Sequence, residues 1–248
     1  MQEQILPITG LKVGKVAEAV LVCGDPARAE KTAAYLENSQ LLSDQREYRA
    51  FKGTYKGQEI VVCSHGVGSA GAAIAFEELI SAGAKRLIRI GTCGGIQPTV
   101  TDGDLVIATS AIAHIGYAQE VAPPNFPAAA DPHLVMALDT AAREHGHTYH
   151  LGMVITRDIF YGGVRTAYTP DYQILAEANV MAVEMECAAL FIVGALRGVQ
   201  TAAILAVDGN VLRAPESMDS YQPHRDIVAD AVTAEIEIAL AAVTNQHH

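Results

Sequence analysis

Short uninterrupted apolar runs alternate along this chain with segments of helical period, and that alternation limits its fold more than any other feature. Residues 17–23 (AEAVLVC) run apolar into Gly24-Asp25-Pro26. Such a run suits a strand buried on both faces, not one that alternates between core and water. Residues 51–55 and 59–64 predict two further strands, with Lys56-Gly57 as the hairpin turn between them. The period then changes. Ala72, Ala75, Phe76, Leu79 and Ile80 fall at i, i+3, i+4, i+7 and i+8, one helix face, and Gly83 ends it. Strands are predicted over 86–90, 105–112, 149–155, 180–183 and 201–207. Helices are predicted from Pro132, capped by Asp131 and closed by Gly146, and over 186–197, closed by Gly198. A final amphipathic helix carries Val228, Val232, Ile236 and Leu240.

This order predicts an α/β protein with a largely parallel sheet covered by helices on both faces. No linker-like shift in composition and no repeat divides residues 1–248, so a single domain is expected. Two segments lack a period: 114–130, with Pro123, Pro124 and Pro127, and 209–224. Both are long enough to be lids or subunit contacts.

Composition excludes several classes. Half of the 248 residues are hydrophobic, enough for a sizeable core, and the net charge is −11. No Lys/Arg run offers a basic face, so nucleic acid is not an expected partner. No apolar run reaches the roughly 18–20 residues of a membrane span, and the N-terminus lacks a basic stretch leading into an apolar one, so a cytoplasmic protein away from membranes is expected. The four cysteines, Cys23, Cys63, Cys93 and Cys187, match no zinc spacing and are expected as reduced thiols. No metal site is expected.

In an acidic chain that binds an anion, the few arginines must be concentrated locally. Ligands of open α/β sheets gather at the carboxyl ends of strands, so the polar residues there are the informative ones. Gly24 permits close backbone approach, Pro26 can open a helix, and Arg28 adds a forked donor suited to phosphate. A solvated surface turn explains the same residues about as well. Arg89 lies inside an apolar strand, where an unpaired charge is costly. Either an ion pair or an anion accounts for it, and Thr92, Gly94 and Gly95 beside it favour the anion. His65, in a glycine-rich turn, is given no chemistry. Glu184 and Glu186 sit at a strand-to-helix junction, where acids favour the helix dipole. A carboxylate beside Met185 could equally hold sugar hydroxyls. Asp208 follows a buried strand with no helix after it to cap, which leaves a general acid open.

GDPAR (24–28), QREY (45–48), SHGVGSAG (64–71), RIGTCGG (89–95), VEMEC (183–187) and ILAVDG (204–209) together, in this order, resemble the nucleoside phosphorylase-I family, nearest in motif to its apicomplexan-type hexameric purine enzymes. The resemblance spans nearly the whole chain. It implies a three-layer αβα fold with a mixed, largely parallel central sheet. It also implies cytoplasmic homo-oligomers, hexamers built as trimers of dimers with active sites shared between subunits.

The implied activity is phosphorolysis of ribonucleosides in nucleoside salvage, with inorganic phosphate as co-substrate and no cofactor. Purine nucleosides of the 6-oxo type come first and uridine second, ahead of a hydrolytic nucleosidase or a silent binding protein. Gly24, Arg28, Arg89 and Thr92 would bind phosphate, and Arg46 would reach the phosphate of a neighbouring subunit. Met185 and Glu186 would hold ribose. Cys93, Gly94, Phe160, Tyr161, Val183 and Glu184 would line the base pocket, and Asp208 would protonate purine N7. Two positions depart from the family pattern. Ile8 stands where a His for the sugar 5′-hydroxyl is usual, so a 5′-deoxy or 5′-thio substrate is compatible. Val164 replaces the Gln that reads uracil, and Arg165 is one place out of register with the Arg that accompanies it.

Overall fold

The computed structural model describes residues 4–213, 221–222 and 225–244. Its elements are β1 (Ala19–Cys23), α1 (Pro26–Ala33), β2 (Glu37–Gln45), β3 (Tyr48–Tyr55), β4 (Gln58–Ser64), α2 (Ser69–Ala82), β5 (Arg86–Gly95), β6 (Leu105–His114), α3 (Gly116–Val121), β7 (Ala128–Ala129), α4 (Pro132–His145), β8 (Tyr149–Arg157), α5 (Tyr172–Glu177), β9 (Ala182–Glu184), α6 (Cys187–Arg197), β10 (Gln200–Asn210) and α7 (Asp226–Thr244). The segment 114–130, without a period in sequence, holds the short α3 and β7. Of the second such segment, 209–224, residues 214–220 and 223–224 lie outside the described residues.

The strands form one mixed sheet in the order β10-β6-β8-β9-β5-β1-β4-β3-β2. Its middle is parallel: β1 pairs with both β4 and β5, and β5 pairs with β10. Antiparallel partners flank it, with β3 on β4, β2 on β3 and β6 on β10. Because β10 bonds to β5 as well as to β6, the strands β5, β10, β6, β8 and β9 close into a ring.

Alternation along each buried strand feeds two cores. Val20 and Val22 face one side with α2 and α6, while Ala19, Leu21 and Cys23 face the other with α1, α4 and α7. These are the two outer layers of an αβα sandwich. Phe76 and Phe191 are among the largest side chains fully withdrawn from water on the α2/α6 side. Burying each contributes on the order of 2–3 kcal/mol. Helix ends follow their caps: Asp131 accepts from the His133 and Leu134 amides, Pro132 sits in the first turn, and Gly146 and Gly198 close α4 and α6 in left-handed conformation. All four cysteines are buried, free thiols. No described helix is long and apolar enough to cross a membrane.

Candidate active site

The carboxyl ends of β1, β4, β5 and β10 converge, and β9 with the chain following β8 completes a cavity of about 660 Å³. Its wall includes Gly24 and Arg28 after β1, Gly66 and Val67 after β4, and Arg89, Thr92, Cys93 and Gly94 on β5. Ile159, Phe160 and Tyr161 follow β8; Val183, Glu184, Met185 and Glu186 come from β9 and its junction with α6; Asp208 comes from β10, with Tyr172 and Tyr221. The structure thus brings together every residue assigned from sequence except Arg46. That side chain is exposed on the turn between β2 and β3, at φ +55°, and does not line this cavity.

Arg89 is the hub. Its side chain is 5% exposed and makes an ion pair of 2.6 Å from Nη2 to Glu186 and one of 3.4 Å from Nε to Glu184. Burial alone would lower its pKa, but the two carboxylates more than offset this and keep the guanidinium charged. Its Nη1 lies 3.3 Å from Nε2 of His65, whose Nδ1 lies 2.8 Å from the Gly66 carbonyl. Burial, and then Arg89, hold His65 well below the usual imidazole range, so it is neutral. The carbonyl partner places the proton on Nδ1 and leaves Nε2 to accept from Arg89. His65, given no chemistry from sequence, therefore braces the arginine.

Room for that guanidinium depends on Gly91, two residues along the same strand face. A Cβ there would stand 2.7 Å from Cζ of Arg89. Since Glu184, Glu186 and His65 pin the guanidinium, it cannot swing away freely. Gly91→Ala is expected to displace the guanidinium and to destabilise the fold by ~1.5–3 kcal/mol, the cost of losing one charge-assisted hydrogen bond. Denaturant melts measure this, and an unchanged midpoint would refute the packing argument.

The glycine-rich turn after β4 shapes the part of the cavity around Glu186. Gly68, at φ +93°, a conformation that favours glycine, donates its N–H to Glu186 Oε1 at 2.5 Å, and the Ser69 hydroxyl donates to the Met185 carbonyl at 2.7 Å. Burial raises the Glu186 carboxyl and Arg89 opposes the rise. Glu184 lines the cavity and is also engaged in hydrogen bonds of its own. It accepts the N–H of Glu186 and of Cys187 and the Thr156 hydroxyl, so it caps α6 while it ties down Arg89.

At the opposite wall Asp208 is 5% exposed and accepts a 2.6 Å hydrogen bond from the Tyr221 hydroxyl. Burial lifts its carboxyl to about 6, against the hydrogen bonds from Tyr221 and Thr92. Phe160 stacks edge-on with Tyr161 and Tyr221 at ring separations of 5.0 and 5.1 Å, forming an aromatic wall. Cys93 is buried with its thiol pushed far up by burial, so it offers packing and not a thiolate. The reading from sequence missed Tyr172, Tyr221 and Glu235, a fully buried acid on α7 whose carboxylate stands 3.1 Å from Arg28. A carboxylate one residue before Ile236, inside an apolar helix face, was the available signal for the last.

The cavity therefore joins three environments: arginines at one end, a carboxylate on a glycine turn in the middle, and a nearly dry acid with aromatic rings at the other end. A profile of the Phosphorylase superfamily matches residues 18–244. The uridine phosphorylase of Treponema pallidum (strain Nichols) is 37% identical over 242 residues, 95% of this chain and 93% of that protein. The purine nucleoside phosphorylase of Plasmodium vivax (strain Salvador I) is 36% identical over 232 residues, 93% of this chain and 92% of that one. The solved structure of purine nucleoside phosphorylase from Toxoplasma gondii in complex with immucillin-H superposes with a TM-score of 0.90 at 34% identity, covering 98% of this chain and 97% of that one. The chain belongs to the phosphorylase superfamily and is an enzyme of its nucleoside phosphorylase branch.

Proposed function

We propose that this enzyme cleaves 6-oxopurine ribonucleosides with inorganic phosphate, giving free base and ribose 1-phosphate. The observation that carries the reading is the desolvated Asp208 in one cavity with Arg28 and Arg89. Phosphate sits on Gly24, Arg28, Arg89 and Thr92, and Glu186 takes the ribose hydroxyls beside Met185. As the C1′–N bond breaks, the sugar gains positive charge next to the phosphate, whose oxygen then bonds to C1′. Asp208 gives its proton to N7, so the base leaves neutral. No metal and no covalent nucleophile enters this scheme; positioning and fixed charge supply the catalysis. Arg46, exposed on its turn, serves the phosphate of a neighbouring copy, which makes a homo-oligomer the working unit.

Uridine is the second reading, favoured by the Treponema relative's name. Against it stand Val164, 89% exposed, and Arg165, whose guanidinium is held 2.7 Å from Asp171. Inosine, guanosine, adenosine and uridine, each with and without phosphate, form the test. Phosphate-dependent release of hypoxanthine and guanine in preference to uracil is expected. Preferred release of uracil would overturn the purine reading, and release at full rate without phosphate would overturn phosphorolysis.

A further inference from the structure

The scheme above leaves one buried acid without a task. Glu235 projects from α7, which packs on β10, β5, β1 and α4, and is fully buried. Its Oε1 stands 3.1 Å from Nη1 of Arg28, and no side chain donates a well-aligned hydrogen bond to either carboxylate oxygen. An acid so placed is costly, and an apolar side chain would fill this helix face without that cost.

Counting charges supplies a reason. Arg28 and Arg89 bring two positive charges to the cavity, and Glu184, Glu186 and Glu235 contact them with three carboxylates. With all three ionised the cluster is net negative and opposes a phosphate dianion. Glu184 and Glu186 are each tied to Arg89 and to backbone amides. Glu235 instead has the phosphate-binding Arg28 as its ion-pair partner. The groups acting on it are Arg28 from α1, Arg89 and Cys93 from β5 and Cys23 from β1. From β5 and β10 come the Gly91 and Ala206 amides, and α4 brings apolar residues such as Leu138. Burial pushes the Glu235 carboxyl up to about 8, against the pull of Arg28 and Arg89.

We propose that Glu235 is a positioning residue that holds Arg28 for phosphate, and that arrival of the anion is balanced by a proton taken up on the Glu235 carboxyl. When phosphate shares Arg28, the carboxylate loses part of its counter-charge. One oxygen forms an O–H bond with a proton given up by the buffer acid, and departure of the anion returns it. The inference rests on the phosphate site of the proposed function.

Sulfate is the probe, because its charge is constant between pH 7 and 9. Titration calorimetry of the full-length assembled protein, run at pH 8 in two buffers of different ionisation enthalpy, counts protons. Wild type is expected to take up a large fraction of a proton per sulfate, and its sulfate affinity should fall as pH rises beyond about 8, approaching tenfold per unit. Glu235→Gln should take up none and bind sulfate with flat pH dependence, while its melting curve confirms folding. A purely structural role would alter melting and leave the proton count unchanged. Asp208→Asn should keep the uptake, since that carboxyl titrates lower. Wild type binding sulfate without uptake, or Glu235→Gln with undiminished uptake, would sink the proposal. Phosphate-dependent base release by wild type keeps the two readings apart: if it persists while uptake is absent, only the Glu235 role falls. If sulfate fails to bind at all, the anion site and this role fall together.

Discussion

Asp208→Asn is expected to lower kcat/KM for inosine by about 10²–10⁴-fold, the usual contribution of a positioned general acid. It should do so while making the protein more stable. The folded carboxyl is raised to about 6 by burial, above the 3.8 of an unperturbed Asp. Between those values the native state holds the proton more tightly than the unfolded chain. Its contribution to stability is therefore complete below about 3.8 and is lost as pH rises through about 6. At pH 8 the folded protein bears the cost of a buried, ionised acid, up to about 3 kcal/mol for a shift of this size. An amide removes that charge and can still accept from Tyr221. Kinetics with inosine and thermal melting at pH 8 check the two halves. Undiminished turnover of inosine would refute the proton-donor role, and a fall in melting temperature would refute the account of the raised carboxyl.

Arg89→Met is expected to fail in both respects. It leaves Glu184 and Glu186 facing one another without a cation in a buried wall. Removing one partner of such a cluster typically costs ~3–5 kcal/mol. Burial raises the Glu186 carboxyl and Arg89 opposes the rise, so without Arg89 the loss should be larger at pH 8 than at pH 6. Phosphorolysis should fall about 10²–10³-fold at least, the range for loss of one preorganised donor to a developing charge. Arg89→Lys separates the effects. It restores a charge, and with it part of the stability, but one ammonium cannot serve Glu184, Glu186, His65 and phosphate with the geometry of a guanidinium fork. Denaturant melts at the two pH values, with kinetics at varied phosphate, test this. A Met variant as stable as wild type would mean that the carboxylates do not depend on Arg89.

Much of the site was legible because strand ends announce themselves. Gly24-Asp25-Pro26, Gly91-Thr92 and Asp208-Gly209 each break an apolar run, and chemistry in such sheets collects at those breaks. What sequence could not settle at Arg89 was the choice between an ion pair and an anion site, because its carboxylate partners lie 95 residues and more away. The structure shows the ion pair, and the paired guanidinium also lines the cavity. Glu184, assigned to the base pocket by likeness of motif, lines the cavity, and sequence could not show that its oxygens are also occupied by amides, Thr156 and Arg89. Strand β2 was not read because ENSQLLSDQ is polar and largely exposed; only pairing with β3 makes it a strand. Glu235 was missed because the face Val228, Val232, Ile236 and Leu240 was taken as the only inner one. In fact α7 is buried on more of its circumference, Ala231, Ala234, Ile238 and Ala239 included.

The closed ring of β5, β10, β6, β8 and β9 works as a fixed calliper. Arg89 and Cys93 on one strand are registered by backbone hydrogen bonds against Ala203 and Val207 on the next, one residue short of Asp208. Asp208 itself falls at the irregularity where this register shifts, between Val207 and Gly209, with paired residues on either side of it. Under the proposed function, a different base would be accommodated by the chain after β8, around Phe160 and Tyr161, which lies outside that ladder. That segment can vary in length and side chains while the ring holds β5 and β10 in register.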